Sequence, residues 1–280
     1  MRRITLWVLL FTAVSSLCAA QQSNEEYVSK MEKEHATDEP VASLASRVDP
    51  EIEVVALDAT YAGIDGKDIV GYMAHPEGEI PKAGLVVIHE WWGLNDNVKA
   101  MARRLAGAGY LALAVDLYEG EVAEDRTDAS RLARASGERT EQILDNLGQA
   151  IEHLRSAGVE RIGVIGWCFG GGWSLRTALA FPDQVDATVI YYGRLTTDQD
   201  ELQSLSSPVL GIFGALDEGI PVATVREFQA ALDALDKEAA IHIYEDADHA
   251  FANPSGTRYN ETAAEDAWAK TLAFFTQHMN

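Results

Sequence analysis

Beyond Glu51 the chain alternates between short, nearly continuous apolar runs and longer segments whose apolar residues recur every three or four positions. The runs are "GLVVIHE" (Gly84 to Glu90), "YLALAVDLY" (Tyr110 to Tyr118), "RIGVIG" (Arg161 to Gly166), "ATVIYYG" (Ala187 to Gly193) and "PVLGIFG" (Pro208 to Gly214). Strands covered on both faces read this way, which predicts a parallel sheet between helical layers. "AIHIYE" (Ala240 to Glu245) reads as a last strand. Ahead of these, Val54 to Ala59 and Asp68 to Met73 predict two early antiparallel strands joined through "GIDGK", whose glycines and aspartate suit a turn. Helical periodicity covers Val98 to Ala108, Thr140 to Ser156, Gly171 to Ala180, Val222 to Leu235 and Glu261 to His278. The alternation specifies an α/β fold with a mostly parallel central sheet and helices on both faces, one domain over residues 51–280.

The first fifty residues break the pattern. "MRRITLWVLLFTAVSSLCAA" has two arginines, an apolar run from Ile4 to Val14 and small residues ending at Ala20, the layout of a secretory signal peptide over residues 1–20. The run is shorter than the ~18 residues of a spanning helix. Cleavage after Ala20 gives a periplasmic or secreted protein with no stable membrane span; lipidation at Cys18 is disfavoured by Leu17, where a small residue is wanted. Residues 21–50 are polar and charged with little periodicity, which predicts a loosely packed lead-in. The formal net charge of −22 opposes binding to nucleic acid or anionic lipid.

Loss of Cys18 with the signal leaves Cys168 as the one cysteine of the exported chain, unable to form an internal disulfide and so a candidate reactive thiol. In doubly wound sheets reactive groups gather beyond the carboxyl ends of the strands. Four such places carry chemistry: "HEWWGLN" with Glu90, "GWCFGG" with Cys168, "ALDEGIP" with Asp217 and "DADHAF" with His249. The GxCxG pattern is a nucleophile elbow with cysteine at its centre, where Gly166 and Gly170 permit a sharp strand-to-helix turn. The order Cys168, Asp217, His249 is nucleophile, acid, histidine. His249 is the base and Asp217 its orienting acid, preferred over Asp246 and Asp248, which lie too near in sequence to reach the ring. The backbone N–H groups of Trp91 and Phe169 suit an oxyanion, and Glu90 is placed to accept a hydrogen bond from the thiol. Trp91, Trp92, Trp167, Trp173 and Tyr118 crowd the same edge and suit an apolar pocket. There is no HExxH, no paired-cysteine spacing and no GxGxxG nucleotide fingerprint, so neither a metal nor a cofactor is expected. His35 falls in the lead-in and carries no expected role.

Together "HEWWGLN", "DLY", "GWCFGG", "ALDEGIP", "DADHAF" and "YNETAAEDAW" resemble the dienelactone hydrolase family, cysteine-dependent members of the α/β-hydrolase fold, from about Ile52 to the C-terminus. The resemblance implies hydrolysis of a small-molecule ester or lactone, with Cys168, His249 and Asp217 as triad, Glu90 as regulatory carboxylate, and Trp91 and Phe169 as oxyanion amides. Better known members carry an arginine shortly after the histidine; Asn253 stands there in this chain, leaving Arg258, Arg131 and Arg134 as candidates for a substrate carboxylate beside Trp92, Tyr118 and Trp167. A general carboxylesterase or thioesterase of the same fold is the nearest alternative, and a non-catalytic thiol redox-sensing or binding domain the more distant one. A monomer is expected.

Overall fold

The computed structural model describes residues 24–40 and 50–279. The signal peptide expected over residues 1–20 lies outside the described residues. Among those described, no helix is long and apolar enough to cross a membrane.

Eight strands form one sheet in the order β1-β2-β4-β3-β5-β6-β7-β8. Strands β1 (Val54–Ile64) and β2 (Lys67–Pro76) are antiparallel, and their turn runs through Asp65 and Gly66, both at positive φ, the backbone a tight two-residue hairpin requires. β2 pairs antiparallel with β4 (Leu111–Val115). The remaining pairs are parallel: β3 (Ala83–Ile88) with β4 and with β5 (Arg161–Trp167), then β6 (Ala187–Tyr191), β7 (Val209–Gly214) and β8 (Ala239–Tyr244). Every residue of β3, β4, β6 and β7 is buried, so the continuous apolar runs are strands with two covered faces. The residues of β8, at the sheet edge, are exposed or only partly buried.

The covering layers are α2 (Asp96–Gly107), α3 (Arg126–Glu138), α4 (Thr140–Ser156), α5 (Phe169–Ala180), the short α6 (Gln199–Leu202), α7 (Val222–Ala234) and α8 (Glu261–Met279). Helix α2 begins where Asn95 accepts a hydrogen bond from the amide of Val98. Helix α3 was not expected. Asp125 caps it by accepting from the amide of Asp128, and its buried stripe of Ala129, Leu132, Ala133 and Ser136 is mostly small residues, a weak apolar signal.

The lead-in departs further from expectation. Residues 24–34 form helix α1, with Val28 and Met31 buried, and the chain beyond it buries His35 and Asp38. It is packed, not loose, because its carboxylates meet basic partners in the body of the fold: Glu25 and Glu32 bind Arg134, and Glu34 and Asp38 bind Arg258.

The junction of β5 and α5 fixes the position of everything chemical in the fold. A Cβ on Gly166 would lie 2.3 Å from the carbonyl carbon of Gly170, and one on Gly170 2.3 Å from the carbonyl oxygen of Ile88. Both neighbours are backbone, so neither can yield. Gly170→Ala is therefore expected to cost on the order of 3 kcal/mol or to prevent folding; a urea denaturation midpoint equal to that of the unsubstituted protein would contradict this packing.

Candidate active site

Cys168 follows β5 directly and serves as the N-cap of α5 with φ at 54°, in the left-handed region that non-glycine residues seldom occupy. This is the sharp turn expected of a nucleophile elbow. It presents Sγ at the start of α5, where first-turn amides favour a thiolate. Phe169 is the first residue of that helix, and Trp91 follows Glu90 in the turn after β3.

Asp217 follows β7 and His249 follows β8. His249 Nδ1 lies 2.8 Å from Asp217 Oδ2, both fully buried, while Asp217 Oδ1 accepts from the amide of Ile220 at 2.8 Å. Asp248 instead accepts from the backbone amide of His249. The choice of Asp217 over the adjacent aspartates is thus the pairing the fold makes. His249 Nε2 has no hydrogen-bond partner, and a ring nitrogen of His249 lies within 4.8 Å of the thiol sulfur.

Helix α1 delivers a second histidine. His35 Nε2 lies 3.6 Å from Cys168 Sγ, and His35 Nδ1 lies 2.8 Å from Asp38 Oδ2. Its ring stacks on Trp91 with centroids 4.6 Å apart and meets His249 edge-on at 5.2 Å. Met31 Sδ lies 3.8 Å from Cys168 Sγ. The thiol is thus flanked by two His–Asp pairs, one from the strand ends and one from the lead-in.

Burial alone would raise the thiol pKa; the charge of His249, and then the hydrogen bond and charge of His35, outweigh it and push Cys168 down to about 6. His249 moves the opposite way: burial disfavours its cation, but Asp217 and the thiolate hold it well above the usual histidine range. Burial raises Asp217, yet the imidazolium and the amides of Ile220 and Gly219 bring it below the usual value. His35 is likewise raised, with burial overcome by Asp38 and the thiolate. These directions describe a thiolate held between imidazolium rings.

Glu90 is buried, and burial followed by repulsion from the thiolate pushes its carboxyl up to about 7. The expected hydrogen bond from the thiol is not formed. Glu90 Oε2 accepts from Asn253 Nδ2 at 2.6 Å and Oε1 has no partner, while the thiol contacts His35 and Met31. The lead-in fills the space in which thiol and carboxylate were expected to meet. His89 sets the neighbouring turn: Leu117 donates to its Nε2, so Nδ1 carries the proton and donates to the carbonyl of Glu90 at 2.5 Å.

The expected pocket is partly realised. Trp92 packs edge-on against Trp91 and His35, and Tyr118 against His89 and Phe169. Trp167 lines a small cavity with Glu90, Asn97, Val98, Met101 and Tyr192. A larger cavity of about 480 Å³, lined by Tyr27, Phe169, Trp173, Arg176 and Arg194, lies on the other side of Tyr27. Neither is lined by Cys168, which is fully buried. Arg131 does not reach the site: it is exposed and pairs with Glu121 and Asp128. Arg134 and Arg258 are committed to the lead-in, not open to a substrate carboxylate. Sequence spacing could not show this, because the paired residues are more than a hundred positions apart.

Arg258 is the main tie of the segment that carries His35. Arg258→Ala leaves the partly buried Glu34 without its arginine and the buried Asp38 with His35 alone, and is expected to speed alkylation of Cys168 by a small iodoacetamide at least about tenfold, the effect of ~1.4 kcal/mol on opening. An unchanged rate would show that the cover does not depend on this pair.

Comparison with known proteins agrees with this geometry. Residues 69–279 match the model of the dienelactone hydrolase family. A protein of Saccharolobus solfataricus provisionally named carboxymethylenebutenolidase is 34% identical over 247 residues, covering 75% of this chain and 94% of its own. One of Escherichia coli K12 with the same name is 32% identical over 242 residues, covering 79% and 89%. Among solved structures, a dienelactone hydrolase, so named provisionally, from Klebsiella pneumoniae superposes with a TM-score of 0.72 at 29% identity over 81% of this chain and all of the other. A dienelactone hydrolase-like promiscuous phosphotriesterase from metagenomic libraries gives 0.73 at 25% identity, covering 81% and 99%. The chain belongs to the dienelactone hydrolase family and has its α/β-hydrolase fold.

Proposed function

We propose that the protein hydrolyses small esters or lactones through an acyl-thioenzyme formed on Cys168. The observation that carries this reading is the buried Cys168, His249 and Asp217 arrangement at three strand ends, with the thiol on a strained turn and the histidine fixed by its acid at 2.8 Å. The thiolate attacks the substrate carbonyl, and the resulting oxyanion faces the amides of Trp91 and Phe169. His249 then protonates the leaving alkoxide, and a water that gives its proton back to His249 hydrolyses the thioester. In a lactone the leaving alkoxide stays on the acyl chain until this last step releases the hydroxy acid.

Six buried polar atoms without partners lie around the thiol: Tyr27 Oη, Glu90 Oε1, Trp91 Nε1, Tyr118 Oη, Tyr192 Oη and His249 Nε2. Such groups are costly unless something polar meets them, and an ester or lactone supplies oxygens that do so. Substrate reaches them when the lead-in shifts, because Met31 and His35 now occupy the face of the thiol.

Export belongs to the same reading. Protein recovered from outside the cytoplasm is expected to begin at Gln21 by N-terminal sequencing; an uncleaved start at Met1, or a lipid-modified Cys18, contradicts it.

The hydrolytic reading predicts that Cys168→Ala lowers kcat/KM for an activated aryl ester by about 10³-fold or more, and that His249→Ala has an effect of the same order, with far-ultraviolet circular dichroism unchanged. Full activity in the alanine variant of Cys168 would refute it.

A further inference from the structure

Three potential metal ligands from three distant parts of the chain converge: Cys168 from the β5–α5 turn, His249 from the loop after β8 and His35 from the lead-in, their ligating atoms all within 4.8 Å of one another and all buried. Each histidine has its other nitrogen on a carboxylate at 2.8 Å, His249 on Asp217 and His35 on Asp38. That outer contact fixes the tautomer and ring orientation of metal-bound imidazoles. His249 Nε2, fully buried, has no other partner.

Two of the spacings match a coordination sphere, and the third donor, a nitrogen of His249, lies within 4.8 Å of the thiol sulfur and of His35. A tetrahedral ion with bonds of about 2.3 Å to sulfur and about 2.0–2.1 Å to imidazole separates S and N ligands by about 3.6 Å, and two sulfurs by about 3.8 Å. Cys168 Sγ stands 3.6 Å from His35 Nε2 and 3.8 Å from Met31 Sδ. The donors are one thiolate, two imidazoles and a thioether, a set that selects soft and borderline ions over Mg²⁺ or Ca²⁺. Asp217 and Asp38 set negative charge behind the two rings, partly offset by Arg258.

The geometry points to a binding site for a thiophilic d¹⁰ cation, Cu⁺ or Zn²⁺, ligated by Cys168 Sγ and one nitrogen each of His35 and His249, with Met31 Sδ at the fourth position. Binding forms one sulfur–metal and two nitrogen–metal bonds on a thiolate and two neutral imidazoles; every proton held on the sulfur or on a metal-facing ring nitrogen leaves to solvent, and nothing is oxidised or reduced. The ion occupies the face of the thiol that a substrate carbonyl would approach, so the loaded protein is a resting form whose thiol is shielded from oxidants. Spacing motifs did not reveal the centre because the ligands lie at positions 35, 168 and 249, and the first joins the other two only when the lead-in docks.

The test uses the purified, chelator-treated protein. Co²⁺ stands in for Zn²⁺ and is followed by its thiolate-to-cobalt charge-transfer absorption; Cu⁺ is titrated without oxygen against a coloured competing chelator. One ion per chain is expected, with the cobalt band lost in Cys168→Ser. Affinity is expected to fall at least a hundredfold in His35→Ala and ten- to a hundredfold in Asp38→Asn, as for loss of a ligand's carboxylate partner. His35→Gln, which keeps the bulk of the side chain, replaces the alanine variant if that one does not fold. Loss of affinity in Met31→Leu supports the thioether as fourth ligand, selectively for Cu⁺ if copper is the ion, and unchanged affinity for both ions in that variant overturns Met31 as a ligand. Failure of both ions to bind, or unchanged affinity in a folded His35 variant, overturns the proposal. The inference shares the thiol with the hydrolytic reading but does not rest on it. Chelated protein that hydrolyses ester yet binds neither ion refutes the metal centre alone, and protein that binds an ion but never hydrolyses upholds the centre and refutes only the hydrolase.

Discussion

Cys168 is held at φ 54° because the chain must leave β5 and enter α5 within one residue, and the helix must then pass so close to β3 that a side chain at Gly170 would meet the carbonyl of Ile88. The close approach sets Sγ at the carboxyl edge of the sheet, at the start of a helix, in the plane where the loops after β3, β7 and β8 end. A non-glycine residue in this backbone region carries a strain of about 1–3 kcal/mol that persists only where packing over-determines it. The packing here does so from both sides, through Gly166 and Gly170. Asp217, His249, Glu90 and Trp91 lie in the turns and loops after the neighbouring strands β7, β8 and β3.

Electrostatics then organise what surrounds the turn. The chain carries twice as many acidic as basic residues, 44 against 22, so arginines are scarce and their placement is informative. Arg134 and Arg258 are both spent on carboxylates of the lead-in. Asp38, tied to Arg258, Thr257 and His35, is held well below the usual carboxylate range despite its burial, and its charge orients His35 toward the thiol. The lead-in is therefore part of the active-site wall.

Much of this was legible along the chain because it is local. The apolar runs mark strands with both faces covered, the two glycines around Cys168 mark the sharp turn, and the succession Cys168, Asp217, His249 follows three strand ends, the last two residues paired at 2.8 Å. The missing parts are long-range. Helix α1 buries Val28 and Met31 amid many charges, too few apolar residues to register as an amphipathic helix, and its docking depends on partners more than a hundred positions away. Glu90 was expected to accept from the thiol, but its partner is Asn253, the residue that stands where an arginine was looked for. Arg131, Arg134 and Arg258 were read as free cations because a sequence does not show which charges have already found each other.

The central claim, that Cys168 is the nucleophile, is tested most directly by acid-quenching the protein during turnover of an activated aryl ester and locating the acyl group by peptide mass spectrometry. The account predicts a labile acyl adduct on the peptide containing Cys168 that forms before steady state and disappears as substrate is exhausted. Turnover with the acyl group on another residue, or with Cys168 unmodified at every time point, would contradict it.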